Sequence, residues 1–184
     1  ITRTGTVAGG TSVTFEHVTG TSVGSIFVQG LGLGGTSITV HAAGYNDGST
    51  TVTVQPSGFI LAQRTIAPTK YATNQTLNIS SQRLDPTTKN ALGNQPIRGG
   101  LSPITVSLTN SEASVGALID ATPGDGTTSV VFNATDQSKA VQFDPLNIGT
   151  TTIAVVQPPG FDQPGSNTWF TTATVTTPDI TITG

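Results

Sequence analysis

Apolar and polar residues alternate one by one along many short stretches of the chain. In Thr36–Ala42, Ile38 and Val40 stand between polar residues, and Ile104–Asn110 shows the same pattern. Such alternation is typical of antiparallel strands that turn one face to a core and the other to water. Threonine suits the wet face because its β-branched carbon fits a pleated surface. No window of about 11 residues keeps the apolar spacing of a helix, so no helix is predicted.

Turn sequences separate these stretches. Asn46–Ser49 (NDGS), Pro123–Gly126 (PGDG) and Gln163–Gly165 (QPG) are hairpin or loop signals. Short strands broken by turns about every 8–12 residues predict a sandwich of two sheets. In the second part of the chain, strands are predicted near residues 64–71, 75–81, 103–109, 115–119, 128–133, 139–144, 150–157 and 168–176.

The chain repeats part of its own sequence. TSVTF, at Thr11–Phe15, returns as TSVVF at Thr128–Phe132, with one residue changed. Internal repetition of this kind is the sequence signature of an array of similar folded units. Four more pairs of blocks follow in the same order: Gly24–Gly30 with Lys139–Pro145, Gly34–Val40 with Gly149–Val155, His41–Gly48 with Gln157–Gly165, and Val52–Pro56 with Ala173–Pro178.

The repeat divides the chain into three parts. Residues 57–177 hold a complete repeat, whereas residues 1–56 match only its C-terminal half and are expected to be completed by other residues or chains. Thr176–Gly184 corresponds to Gln55–Leu61, so residues 178–184 are predicted to be the first strand of a following repeat or a linking strand. We expect this inter-unit strand to comprise Asp179, Ile180, Thr181, Ile182 and Thr183.

Charge is scarce. Charged residues make up 9% of the chain, Lys and Arg total 7, and the net charge is −3. With so few cationic residues, neither a nucleic-acid groove nor binding to an anionic membrane is predicted. The sequence contains no run of about 18 apolar residues, so no membrane span is predicted either. The cysteine count of 0 excludes disulfides and thiolate sites. A Thr- and Gly-rich chain that starts at Ile1 is expected to be an exported bacterial protein in mature form, or a piece of a longer one.

No catalytic arrangement stands out. Gly30–Gly35 fits the G-x-G-x-x-G pattern, but a strand pattern follows instead of the helix that a pyrophosphate needs, so a loop is predicted. His17 and His41 are expected on the surface, and no nucleophile elbow or metal-ligand spacing accompanies them. No catalytic, cofactor or metal residue is therefore predicted.

Calcium is the one ion that the sequence leaves open. It prefers several oxygen ligands that converge from loops, but no D-x-D-x-D-G run is present, and aspartate is also a common turn residue. The candidates are the aspartates at or near predicted turns: Asp120, Asp125, Asp136, Asp144, Asp162 and Asp179.

Aromatic residues suggest a second kind of site. Trp169 lies beside Phe170 in the last predicted strand, and Tyr45 lies in a predicted turn. A ring of this kind can stack on a sugar, so Trp169 and Tyr45 are candidate ligand-stacking residues for a glycan. Because neighbours in a strand point to opposite sides, one of Trp169 and Phe170 is expected in the core and the other at its rim.

The repeated blocks resemble the bacterial immunoglobulin-like tandem repeats of large secreted and cell-surface proteins. The family's G-T-x-x-[IV]-x-V strand and following Gly-[FY] turn match Gly149–Val155 and Gly160–Phe161, and a shorter form matches Gly35–Val40 and Gly44–Tyr45. The resemblance implies an all-β fold of tandem immunoglobulin-like antiparallel β-sandwiches. It carries no active site with it.

The resemblance also implies a function. We expect a non-enzymatic extracellular or cell-surface protein with a structural or adhesive role, as a stalk, adhesin or filament at a bacterial surface. Its partners would be neighbouring immunoglobulin-like units of the same or another chain. Two alternatives stay open: a carbohydrate-binding module, and an accessory domain of a secreted enzyme.

Overall fold

The structure, a computed structural model, describes residues 1–16, 18–101, 103–119 and 127–180. This part of the chain is all-β, as predicted, and it holds no helix with the length and apolar character needed to cross a membrane. The strands are β1 (Gly34–Val40), β2 (Gly48–Val54), β3 (Ser57–Leu61), β4 (Thr65–Ile66), β5 (Gln75–Leu84), β6 (Ala91–Asn94), β7 (Ile104–Asn110), β8 (Gly116–Ile119), β9 (Thr127–Phe132), β10 (Ser138–Pro145), β11 (Gly149–Val156) and β12 (Phe170–Val175).

The strands from β3 onward form two sheets of five strands each. In the first sheet the order is β3-β5-β10-β8, and β6 also pairs with β5. In the second sheet the order is β4-β12-β11-β7-β9. Every pair is antiparallel except β4 with β12, which is parallel. The arrangement is a β-sandwich, in agreement with the turn spacing.

The core of the sandwich lies between these two sheets. Phe59 of β3, Phe143 of β10 and Phe132 of β9 are fully buried, and the ring centroids of Phe59 and Phe132 lie 4.9 Å apart. Burying one such side chain stabilises the fold by roughly 1.5–3 kcal/mol. The other large, fully buried side chains come from both sheets: Leu61, Leu77, Ile79, Leu84, Leu108, Ile153, Val106, Val141 and Val175.

The strands lie close to their predicted positions, with three departures. β3 is absent from the strands predicted between residues 64 and 176, since it lies before them. The strand predicted near 64–71 is reduced to the two residues of β4, followed by the isolated pairing of Thr69 with Thr176. Tyr71 ends this extended segment because its φ of 72° is left-handed. β6 was not predicted, since all four of its residues are exposed and show no alternation.

The sandwich has two distinct ends. Gly149 of β11 pairs with Val175 of β12 at one end, so the connection between these two strands lies at the other. The amide of Asp162, in that connection, donates to the carbonyl of Ser57 at 2.8 Å, and β3 therefore starts at the connection end. The chain leaves β12 through Thr176 at the opposite end, here called the exit end.

Residues 1–56 form far less regular structure. Their only described sheet is the hairpin of β1 and β2, and one isolated bridge joins Thr2 to Phe27. The hairpin leads into β3 after two residues, so it extends from the connection end. The backbone near Thr6 packs so closely on Gly99 that a Cβ there would lie 2.6 Å from the Thr6 carbonyl carbon.

Candidate functional site

The hairpin β1–β2 has the same strand register as the hairpin β11–β12. Directly opposed residues of an antiparallel pair share one face, so the register fixes which side chains lie together. The corresponding pairs are Gly34–Val54 with Gly149–Val175, Thr36–Val52 with Thr151–Ala173, and Ile38–Thr50 with Ile153–Thr171.

The two hairpins also contain the same turn. In both Ala42–Tyr45 and Pro158–Phe161, the amide of the last residue donates to the carbonyl of the first at 3.1 Å. The third residue is a glycine in each case, and Gly44 and Gly160 have φ values of 85° and 88°. A type II turn requires a positive φ at this position, which glycine adopts without strain. The turn therefore explains the Gly-aromatic sequence in both blocks.

The two hairpins differ in how deeply their side chains are buried. Val155 is 3% exposed, whereas its counterpart Val40 is 61% exposed. The ring of Phe161 lies 4.8 Å from that of Phe59, while its counterpart Tyr45 is 79% exposed. The same hairpin thus occurs once covered by the first sheet and once uncovered.

The uncovered side of β1–β2 is an apolar groove of about 380 Å³. None of the described residues that line it is charged, so its chemistry suits an apolar, extended partner rather than an ion. We call this surface, together with Tyr45 at its tip, the open hairpin face. Its lining residues are Ile26, Val28, Ile38, Val40, Gly48, Ser49, Thr50 and Val52.

β3 shows how such a hairpin is covered. Phe59 packs on Phe161, and its amide donates to Oε1 of Gln157 at 2.8 Å. Nε2 of Gln157 returns a hydrogen bond to the carbonyl of Phe59 at 2.8 Å. β3 is thus held by the aromatic contact, by hydrogen bonds between the Phe59 main chain and the Gln157 side chain, and by main-chain hydrogen bonds from Asp162 to Ser57 and from Leu61 to Thr168.

The two candidate stacking residues lie on different hairpins. Tyr45 is at the tip of β1–β2, and Trp169 lies in the turn before β12. The expectation that Trp169 and Phe170 point to opposite sides is wrong, because strand alternation does not reach the turn. Both are half-buried, and their rings meet edge to face with centroids 5.0 Å apart. No described contact joins Tyr45 to Trp169 in one platform.

The histidine and glycine candidates lie in surface segments. Nδ1 of His41 lies 2.6 Å from Oδ1 of Asp47, both exposed at the tip of β1–β2. Gly30–Gly35 runs into β1, and no helix follows it. His17 is outside the described residues.

The aspartate candidates are not gathered in one place. Lys89 pairs with Asp162 at 2.7 Å, and Lys139 pairs with Asp136 at 2.8 Å. The hydrogen bond from Lys139, with one from the amide of Asn133, holds the pKa of Asp136 below its usual value. Asp144 is half-buried in β10, Asp179 is exposed, and Asp120 and Asp125 are outside the described residues. Across residues 1–16, 18–101, 103–119 and 127–180, no three potential metal ligands form a group.

The carboxylate of Asp85 stabilises a turn instead of forming part of a ligand site. Its carboxylate accepts hydrogen bonds from the amides of Thr88 and Thr87, at 2.7 and 2.9 Å, and from the Thr88 hydroxyl. These bonds lower the pKa of Asp85, the Thr88 amide most of all. A carboxylate held in this way stabilises a local turn.

No protein-family model matches the chain, and a search of curated proteins also finds no match. The fold and the candidate site define an all-β protein with a β-sandwich and an uncovered apolar hairpin.

Ile26 and Val28 belong to this site but were not singled out in the sequence. Ile26, Phe27 and Val28 are consecutive apolar residues, so the sequence has no alternation that shows which of them face the groove.

Proposed function

We propose that this chain is a segment of an extracellular array of immunoglobulin-like sandwiches, with a structural or adhesive role in a stalk or filament at a bacterial surface. One observation carries the proposal. The hairpin β11–β12 and the hairpin β1–β2 share register and turn, yet only the first is covered. An array would supply the missing cover from a neighbouring unit.

The strand order supports the immunoglobulin-like part of the proposal. Constant-type immunoglobulin sandwiches place strands A, B, E and D in one sheet and G, F and C in the other. The order β3-β5-β10-β8 corresponds to A-B-E-D, and β12-β11-β7 corresponds to G-F-C. β4, β6 and β9 are additional to this set of seven.

The composition supports an extended structural role. Polarity comes from Thr, Ser, Gly and Asn instead of charge, since only 9% of residues are charged. Neutral strand surfaces of this kind can lie against neighbouring units without the repulsion that a high net charge brings.

Electron microscopy of the native, unfragmented material tests the proposal. An antibody raised against the 184-residue chain would identify the particles. One sandwich with its loops is on the order of 40 Å long, from the rise of about 3.3 Å per strand residue. We expect labelled strings or filaments with about that spacing. Isolated compact particles that carry the label would contradict the proposal.

A further inference from the structure

The C-terminal tail, residues 177–184, is described as far as Ile180. Thr176–Gly184 corresponds to Gln55–Leu61, the segment that contains β3. Continuing the register match of Val54 with Val175 along the chain without a gap places Ile180 on Phe59. Phe59 is 0% exposed, whereas Ile180 is 92% exposed, the highest value among the large apolar side chains of the described residues. The tail therefore resembles β3 in sequence and lacks the contacts that bury β3.

The tail and the open hairpin face correspond to the two sides of one contact. In the sandwich that contact is visible in full, because Phe59 of β3 packs on Phe161 of the β11–β12 turn. Ile180 is the counterpart of Phe59, and Tyr45 is the counterpart of Phe161. Ile180 and Tyr45 are both exposed. The chain therefore contains counterparts of both contacting residues, but within one copy they do not contact each other.

The two sides lie at opposite ends of the sandwich. The hairpin β1–β2 extends from the connection end, where Ser57 begins β3, and the tail leaves from the exit end through Thr176. β3 itself cannot cover β1–β2, because it is paired along its length with β5 from Ser57–Arg83 to Leu61–Ile79. The geometry thus favours a contact between two copies over closure within one.

We propose that the tail of one copy of this chain binds the open hairpin face of a second copy, as β3 binds β11–β12. The inference rests on the proposed function and specifies the joint between successive chains. Ile180 packs against Tyr45 and the apolar groove, and the extended tail forms main-chain hydrogen bonds at the hairpin tip, as in strand addition. Because each copy offers one tail and one hairpin, the contact is heterologous and can propagate into a linear polymer.

The chemistry of the two surfaces agrees. The tail alternates apolar and polar residues in DITIT and holds one charge, at Asp179. The part of the chain that the structure describes contributes no charged residue to the lining of the groove. A short alternating segment with β-branched residues suits an added strand whose apolar side faces the groove.

Sedimentation velocity of the 184-residue chain, from about 1 μM to about 1 mM, tests the contact. We expect species larger than a monomer that grow with concentration. Ile180→Asp and Tyr45→Asp should each weaken association at least about tenfold, as truncating a central interface residue does. The matched control is Val131→Asp, an exposed apolar position on edge strand β9, which should associate like the parent chain. A parent chain that stays monomeric throughout, or equal weakening by all three variants, would overturn the proposal.

Mixing the two variants separates a heterologous contact from other kinds. The Tyr45→Asp chain keeps an intact tail, and the Ile180→Asp chain keeps an intact hairpin. Together they should form a dimer of one of each at concentrations at which neither variant associates alone. If the parent chain associates and the mixture does not, another surface is responsible and the proposal is wrong.

A synthetic peptide of residues 176–184 gives a readout that needs no folded variant. The peptide should block association of the parent chain and bind the Ile180→Asp chain, and it should not bind the Tyr45→Asp chain. Absence of both effects would overturn the proposal. These outcomes are independent of the microscopy. Labelled arrays without peptide binding would support the proposed function and contradict the contact between tail and hairpin. Peptide binding without arrays would support this contact and contradict the proposed function.

Discussion

At the scale of single residues, threonine has two roles in this fold. The sequence predicted threonines on the wet faces of strands, and many are there. Thr128, Thr151 and Thr171 are instead buried. Alternation alone could not predict this, because a β-branched methyl group packs in a core as well as on a surface, and only the neighbouring atoms decide whether the hydroxyl finds a partner.

The hydroxyls of Thr151 and Thr128 should differ in their effect on stability. Oγ1 of Thr151 accepts a hydrogen bond from the amide of Glu112 at 2.9 Å and donates to Asn110. Oγ1 of Thr128 has no hydrogen-bond partner among the described residues. We expect Thr151→Val to lower the free energy of unfolding by about 1–3 kcal/mol, and Thr128→Val to leave it unchanged or raise it.

Urea denaturation of the two variants and the parent chain measures these changes. The substitutions are chemically identical, so each serves as the control for the other. Equal losses from both variants would show that the buried hydroxyl of Thr128 is satisfied in solution.

At the scale of elements, the repeated sequence shows that a strand depends on its partner. TSVVF forms β9 because β7 provides its hydrogen-bond ladder, from Ile104–Phe132 to Thr109–Thr127. TSVTF at Thr11–Phe15 forms no strand. Among the described residues of 1–56, no segment takes the place of β7. A strand cannot satisfy its main-chain groups alone, so the local pattern predicts the potential for a strand and not its presence.

The same dependence predicts a difference in hydrogen exchange between the matched hairpins. In the Ile180→Asp chain at low concentration, the amides of Gly34–Val54 should exchange far faster than those of Gly149–Val175. The two hairpins have one register, but only the second is held by a core, and a hairpin alone is marginally stable. Mass spectrometry of peptides from both segments measures the rates. Equal protection in the two hairpins would mean that β1–β2 is covered within a single copy.

At the scale of the whole molecule, the sequence predicted the class of fold better than its connections. The turn spacing and alternation predicted a two-sheet sandwich, and most strands lie within a few residues of their predicted positions. The pairings were not predictable, because β5 joins β10 and β4 joins β12 across long stretches of chain. The candidate site was predictable in part: the repeat matched the hairpin β1–β2 with β11–β12, but only the structure shows which apolar face is open.

Phe59 should be central to the stability of the whole sandwich. Its ring contacts Phe132 of the second sheet and Phe161 of the β11–β12 turn, with centroids 4.9 and 4.8 Å away. We expect Phe59→Ala to lower the free energy of unfolding by about 3–5 kcal/mol, since it leaves a cavity between the sheets. Thermal and urea unfolding measure the loss. Phe27→Ala, at a half-exposed position outside the sandwich, is the matched control and should change stability by less than about 1 kcal/mol.

The parallel pairing of β4 with β12 has a mechanical consequence. The chain enters β4 at one end of this pair and leaves β12 at the other, so tension along the polypeptide pulls the two strands past each other. The amide of Thr172 donates to Arg64 at 3.0 Å, that of Thr176 to Pro68 at 3.0 Å, and that of Lys70 to Thr176 at 2.7 Å. Shear loads these three hydrogen bonds together, whereas peeling would break them one after another. We therefore expect this pairing to resist tension applied before β4 and after β12 more strongly than a pair of the same length that is peeled open.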